Sequence, residues 1–305
     1  MPENKKLIVR LRGGLGNQLF SFATGLSIAE SNGYDLVLDT ESGFKYDTLY
    51  RRKFALGAFD IKARHATRSE RLLPFDRVRR KLKKYVSGKK ALADKHYIIE
   101  VNQEFDASLK NVALEKSVVY LDGLWQNLLY FSDYEDLVRS HLTFNISPND
   151  QNRNFSDWVK CKEVAVIHLR FFSSHYSSNK EEDASTAYYS TAIQYLLDNT
   201  NVKSFAVFSD DVAAANTLLS ELGVDFKLVD WNQQSGEEIY DLWLMSQGQH
   251  FILANSTFSW WAAWLSEKHS DQCVLYPLPD EVKNTTNWAW AFPGQMPKEW
   301  IPIKV

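Results

Sequence analysis

The chain has 305 residues, 45% hydrophobic and 24% charged, with a formal net charge of −3; this is the make-up of a globular protein long enough for two domains, with no overall pull toward nucleic acid. Two cysteines, Cys161 and Cys273, are too few for a disulfide framework or a cysteine metal site. No apolar run reaches the ~18 residues of a membrane span and no signal peptide precedes the first strand-like run, so a cytoplasmic, reducing setting is expected and the sequons at Asn145, Asn154, Asn255 and Asn284 should go unused.

The run KLIVRLR (6–12) reads as a strand that stops at Gly13 and Gly14. Leu15, Leu19, Phe22, Leu26 and Ala29 then recur at helical spacing, so a helix follows to about Ser31. Further strands are expected at YDLVLD (34–39), YIIEV (97–101) and SVVYLDG (117–123). Gly13, Gly14 and Gly16 match neither the dinucleotide fingerprint nor the phosphate loop. That leaves a tight turn, or a loop whose backbone approaches a ligand. Between these elements, residues 77–90 (RVRRKLKKYVSGKK) hold eight basic side chains and no acid, with Phe75, Val78, Leu82 and Tyr85 on one helical stripe. Such a helix either packs its stripe on the first domain or rests on an anionic membrane at the inner face. No RNA or DNA motif accompanies it, so no nucleic-acid partner is expected.

A polar stretch near 145–160 suits a domain junction, dividing the chain into 1–150, 151–277 and a tail over 278–305 that folds back on the body. Beyond the junction, VAVIHLR (164–170), SFAVFSD (204–210), DFKLVD (225–230), HFILAN (250–255) and CVLYP (273–277) alternate with helical patterns. Nearly continuous apolar strands separated by helices indicate a parallel sheet covered on both faces, a Rossmann-like α/β domain. Ligands of such sheets sit beyond the carboxyl ends of the strands.

Three groups of polar residues fall at those ends. His168 and Arg170, two apart, point to the same side as the first strand runs out; a guanidinium fork matches phosphate oxygens, or else pairs with a buried carboxylate. Asp210 and Asp211 close the next strand, where one acid serves as a helix cap and the other is available to ribose hydroxyls, a base edge or an acceptor. The segment NSTFS (255–259) follows a strand and opens a helix, with Asn255 or Ser256 as cap; hydroxyls and backbone N–H groups there make an anion site. Trp260, Trp261 and Trp264 belong to the core rather than to a sugar platform. The chain has no Asp-x-Asp pair and no ligand spacing among its histidines, so no metal is expected, and an arginine with a helix start neutralises a departing pyrophosphate instead.

GGLGNQLFSFATG, IHLR, FSDD and LMSQGQHFILANSTFSWWAAWL, with GLWQNLLYF and AYYSTAI between them, together resemble the bacterial α1,2-fucosyltransferases over most of the chain. The resemblance implies a GT-B-type fold of two Rossmann-like domains facing a cleft, GDP-β-L-fucose as donor without a metal cofactor, and inverting transfer to the 2-hydroxyl of a galactose-terminated oligosaccharide of O-antigen type. It further implies Arg170 on the pyrophosphate, His168 and Asp241 near the guanine, Ser256, Thr257, Phe258 and Ser259 around the β-phosphate, and Asn255 on the donor side. Asp210 and Asp211 join the donor side, and Gly13, Gly14, Gly16, Asn17 and Gln18 approach it from the first domain. One departure stands out: where the family continues HxRRGDY, this chain has HLRFFSSHY. Phe171 and Phe172 then offer an apolar surface to an acceptor sugar, with His175 beside them. The base that takes the acceptor's proton falls to Asp39, Asp210, Asp211, His175 or Glu181. Transfer from another GDP-hexose, or GDP-sugar binding without turnover, are the rival readings.

Overall fold

Strand β1 (Lys6–Arg10) is buried from Leu7 onward and lies at the centre of a five-stranded sheet. The computed structural model describes residues 5–101, 104–171, 184–278 and 294–304, which fall into two units dividing between Asn145 and Ile146. In the first, β2 (Asp35–Asp39), β3 (Arg64–His65), β4 (Tyr97–Ile99) and β5 (Val118–Asp122) complete the order β3-β2-β1-β5-β4, every pairing parallel. Helix α1 (Leu15–Asn32) follows β1 and is buried from Leu15 to Ala29 except at Asn17. It crosses the sheet at Gly25, where an added Cβ would lie 2.3 Å from Val9 Cγ2. Further α-helices among the described residues of this unit are α2 (Asp76–Gly88), α3 (Ala107–Lys110) and α4 (Glu135–His141). Strand β3 was not anticipated, because two exposed residues, Arg64 and His65, carry no apolar pattern.

The second unit begins with α5 (Asp150–Val159) and alternates strand and helix: β6 (Val164–Leu169), α6 (Thr186–Asn199), β7 (Ser204–Ser209), α7 (Val212–Glu221), β8 (Asp225–Leu228), α8 (Glu238–Met245), β9 (His250–Ile252), α9 (Thr257–Leu265), β10 (Val274–Leu278) and β11 (Ile301–Lys304). Its sheet runs β11-β10-β9-β6-β7-β8, all parallel. Taking β6 as first, this is the doubly wound order 3-2-1-4-5-6, which doubles back between β6 and β9. Ile167, Leu169, Phe205, Val207, Ile252 and Leu275 of the strands meet Tyr188, Tyr189 and Leu196 of α6 in its core.

The described end of the chain supplies the sixth strand, with Ile301 to Lys304 in register with Leu275 to Leu278. Just before it, Gly294 and Gln295 belong to the first unit, where Gln295 Nε2 donates to the Gln126 carbonyl at 3.0 Å.

Candidate active site

The reversal of strand order places the site of the second unit outside the carboxyl ends of β6 and β9. His168, at the end of β6, is buried, and its ring lies beside that of Phe258 with centroids 5.7 Å apart. Burial, helped by the Arg170 charge, drives the imidazole down to about 3, so the ring is neutral at physiological pH. Its Nδ1 finds no hydrogen-bond partner among the described residues, while its backbone carbonyl accepts from Tyr189 Oη at 3.2 Å.

Half-buried Arg170 follows, with Nη1 3.0 Å from Asp210 Oδ2. The other oxygen of Asp210 accepts from the Phe171 amide at 3.0 Å, so one carboxylate at the end of β7 holds both the guanidinium and the strand exit. Asp211 realises the capping alternative: its Oδ1 accepts from the Ala214 amide at 3.0 Å and starts α7.

At the end of β9, Asn255 is buried and Ser256 is the cap of α9, its Oγ accepting from the Phe258 amide at 3.3 Å. Ser259 Oγ donates to the Ser256 carbonyl at 3.1 Å, tightening the first turn. Trp260, Trp261 and Trp264 are buried, and Trp260 stacks on Trp264 with centroids 6.1 Å apart. The helix start is therefore anchored from beneath by a rigid aromatic cluster and presents Thr257 and Phe258 only partly covered.

Asp241, on α8, accepts from Asn232 Nδ2 at 2.9 Å, and burial pushes its carboxyl up to about 7. Asn232 and Asn152 pair through both amides at 3.0 and 3.1 Å, and Trp231 Nε1 donates to Asn152 Oδ1 at 2.8 Å. Sequence reasoning missed Asn152 and Asn232. The only signal for Asn232 was its place just beyond β8, since no periodicity marks a buried amide pair 80 residues apart.

The remaining expected site residues lie as follows in the two units. Phe171 packs partly buried against the core of the second unit. Phe172, His175 and Glu181 lie outside the described residues. In the first unit Gly13 has φ of 75°, a left-handed turn that lets the chain leave β1 and enter α1 through its N-cap Gly14; Gly16 is buried inside the helix. Asn17 Oδ1 accepts from Gln126 Nε2 at 2.8 Å. Gln18 is buried with its amide spent on backbone: Nε2 donates to the Gly13 and Lys53 carbonyls at 3.0 and 2.8 Å, and Oε1 accepts from Ala55 at 2.9 Å. Asp39, expected among the bases, is equally committed. It is buried, accepts from Tyr120 Oη at 2.6 Å, and holds the Ser42 and Glu41 amides at 2.9 and 3.2 Å. Most buried polar groups are hydrogen-bonded, and Gln18 and Asp39 hold the loops of their own unit.

Among the described residues no group of three or more His, Cys, Asp or Glu side chains could hold a metal ion. No described helix is long and apolar enough to cross a membrane.

With this geometry in view, a family profile described as Glycosyl transferase family 11 matches residues 6–303. An α-1,2-colitosyltransferase of Escherichia coli is 31% identical over 98% of this chain and 99% of its own length. The O-antigen biosynthesis glycosyltransferase WbnK of the same species is 28% identical over 88% of this chain and 92% of its own. Among solved structures, the α-1,6-fucosyltransferase NodZ of Bradyrhizobium, soaked with GDP-fucose, shares the fold with a TM-score of 0.51 at 16% identity, covering 86% of this chain and 93% of NodZ. A variant of Arabidopsis thaliana FUT1 in complex with GDP gives 0.54 at 12% identity, covering 88% of this chain and 72% of that one. The two α/β units thus have the fold of GT-B-type fucosyltransferases.

Proposed function

The chain belongs to glycosyl transferase family 11, and on that footing we propose that it transfers L-fucose from GDP-β-L-fucose, with inversion, to the 2-hydroxyl of a galactoside in a surface polysaccharide or lipid-linked oligosaccharide. The observation that carries the reading is the placement of Arg170 beyond β6 and of the Ser256-capped start of α9 beyond β9, the two strands that flank the reversal of the second sheet. In this reading the acceptor oxygen forms a bond to the anomeric carbon while the bond from that carbon to the β-phosphate oxygen breaks, its electron pair leaving with GDP. The acceptor's proton passes to a base. Arg170 and the N–H groups of the α9 start offset the charge that grows on the leaving pyrophosphate. Neutral His168 contributes packing and a hydrogen-bonding nitrogen but no charge. Asp241, oriented by the amide of Asn232, provides a carboxyl suited to a base edge.

A second donor has its own support, the name of the colitosyltransferase relative. GDP-activated colitose lacks one ring hydroxyl that fucose carries, so the same phosphate site would serve both. The test is release of GDP from GDP-fucose and GDP-colitose in EDTA, with and without β-galactosides. Galactoside-dependent release names the donor and acceptor; binding of both donors without release by any acceptor would leave a GDP-sugar-binding protein and refute transfer. Arg170→Ala should weaken GDP binding and turnover at least about tenfold, through loss of charge-assisted hydrogen bonds. An unchanged affinity would sink the phosphate assignment.

A further inference from the structure

Helix α2 is built with its polar side inward. Asp76 is buried and accepts from Arg10 Nη2 at 3.1 Å, and Arg80 Nε donates to buried Asp122 at 2.6 Å. Arg79 Nη1 donates to the carbonyls of Arg71 and Leu73 at 2.7 and 3.0 Å, and Ser87 is buried about two turns further along. These positions share one helical face. The apolar stripe therefore points away from the unit that holds the helix. Phe75, Val78, Leu82, Tyr85 and Val86 are 69, 67, 61, 79 and 52% exposed.

A surface helix ordinarily buries its apolar stripe, and a contiguous exposed one marks an interaction surface. Here cations border it. Arg77, Lys81, Lys84, Lys89 and Lys90 are exposed, and among the described residues none of them forms an ion pair with an acidic side chain. Half-exposed Tyr46 extends the patch, donating to the Pro74 carbonyl at 3.3 Å beneath the Arg77 guanidinium, which lies 5.5 Å from its ring. A second copy meeting this face about a two-fold axis would bring like charges together, and a nucleic acid would leave the apolar side chains wet.

We infer that α2, with Tyr46 beside it, docks in the plane of an anionic lipid surface. The stripe enters the boundary between headgroups and acyl chains, and the lysines extend their stems along it to reach lipid phosphates. The inference is independent of donor and acceptor.

The test is co-sedimentation of the intact chain with vesicles of phosphatidylethanolamine and phosphatidylglycerol, and with phosphatidylcholine alone, at low and high salt. Binding should require phosphatidylglycerol, weaken with salt, and fall at least about tenfold in Lys81→Glu/Lys84→Glu. Leu82→Asp/Tyr85→Ser should weaken it by a similar factor; both variants alter exposed side chains, and an unchanged melting temperature verifies their fold. No binding by the intact chain at low salt overturns the inference. So does loss on charge reversal with full binding by Leu82→Asp/Tyr85→Ser, which would be surface adsorption alone. Self-association abolished by Leu82→Asp, without vesicle binding, would assign the stripe to a second copy instead.

Discussion

A carboxyl held up near 7 makes Asp241 a pH-sensitive point in the fold. Its ordinary value is 3.8, and burial raises it to about 7 against the one hydrogen bond from Asn232 that favours the charge. Between those values the folded chain keeps a proton that the unfolded chain has lost, so this group makes stability fall as pH rises from about 4 to about 7 and level off above. Asp241→Asn should remove that slope and be more stable than the parent at pH 8 by about 1–3 kcal/mol, measured by urea unfolding without nucleotide. A parallel pH profile in parent and variant would show that the carboxyl is ionised in the fold. The residue types at the strand ends were legible in the sequence, because the carboxyl ends of a parallel sheet collect polar groups for any ligand. Their protonation was not: His168 falls to about 3 because strands and helices close over it, with the Arg170 charge adding to the effect.

The contact between α1 and β1 turns on one atom. Alanine is the better helix former by about 1 kcal/mol, which on propensity alone predicts that Gly25→Ala stabilises α1. The Cβ would lie 2.3 Å from Val9 Cγ2, and overpacking in a rigid layer costs more than propensity returns. Gly25→Ala is expected to destabilise by about 1–3 kcal/mol. Val9→Ala, which deletes the obstructing methyl, should make the same substitution markedly less costly in a double-mutant cycle read by chemical denaturation. Additive costs would mean that the helix simply rides up off the sheet. Helix α2 shows the same limit of one-dimensional reading. Its apolar spacing was plain in the sequence, whereas the direction of the stripe depended on Asp122, whose carboxyl burial pushes up and Arg10, Tyr97 and Arg80 together pull below its ordinary value. Those partners recruit the polar face of α2 inward.

Taken as a whole, the second unit is closed by the far end of the chain. Strand β11 pairs with β10, and buried Trp300 just before it lies 5.5 Å from Trp260 at the base of α9. Trp300→Ala should therefore cost about 3–5 kcal/mol and, by loosening the aromatic cluster beneath the Ser256 cap, weaken GDP binding as well. Unfolding curves and nucleotide titration check the two effects; lost stability with full GDP affinity would disconnect the cluster from the site. From the sequence alone come two α/β halves, all the strands of the second sheet except β11, and the Arg170, Asp210 and Ser256 groups at their ends. Periodicity of two or 3.6 residues and strand-end chemistry are local, and a chain displays them in order. Strand order, the membership of β11, the hydrogen bonds that hold Gln18 and Asp39 within their own unit, and the outward turn of α2 came only with the tertiary structure. Each depends on partners tens to more than a hundred residues away, and burial and hydrogen bonding between such partners leave no periodic trace in either segment.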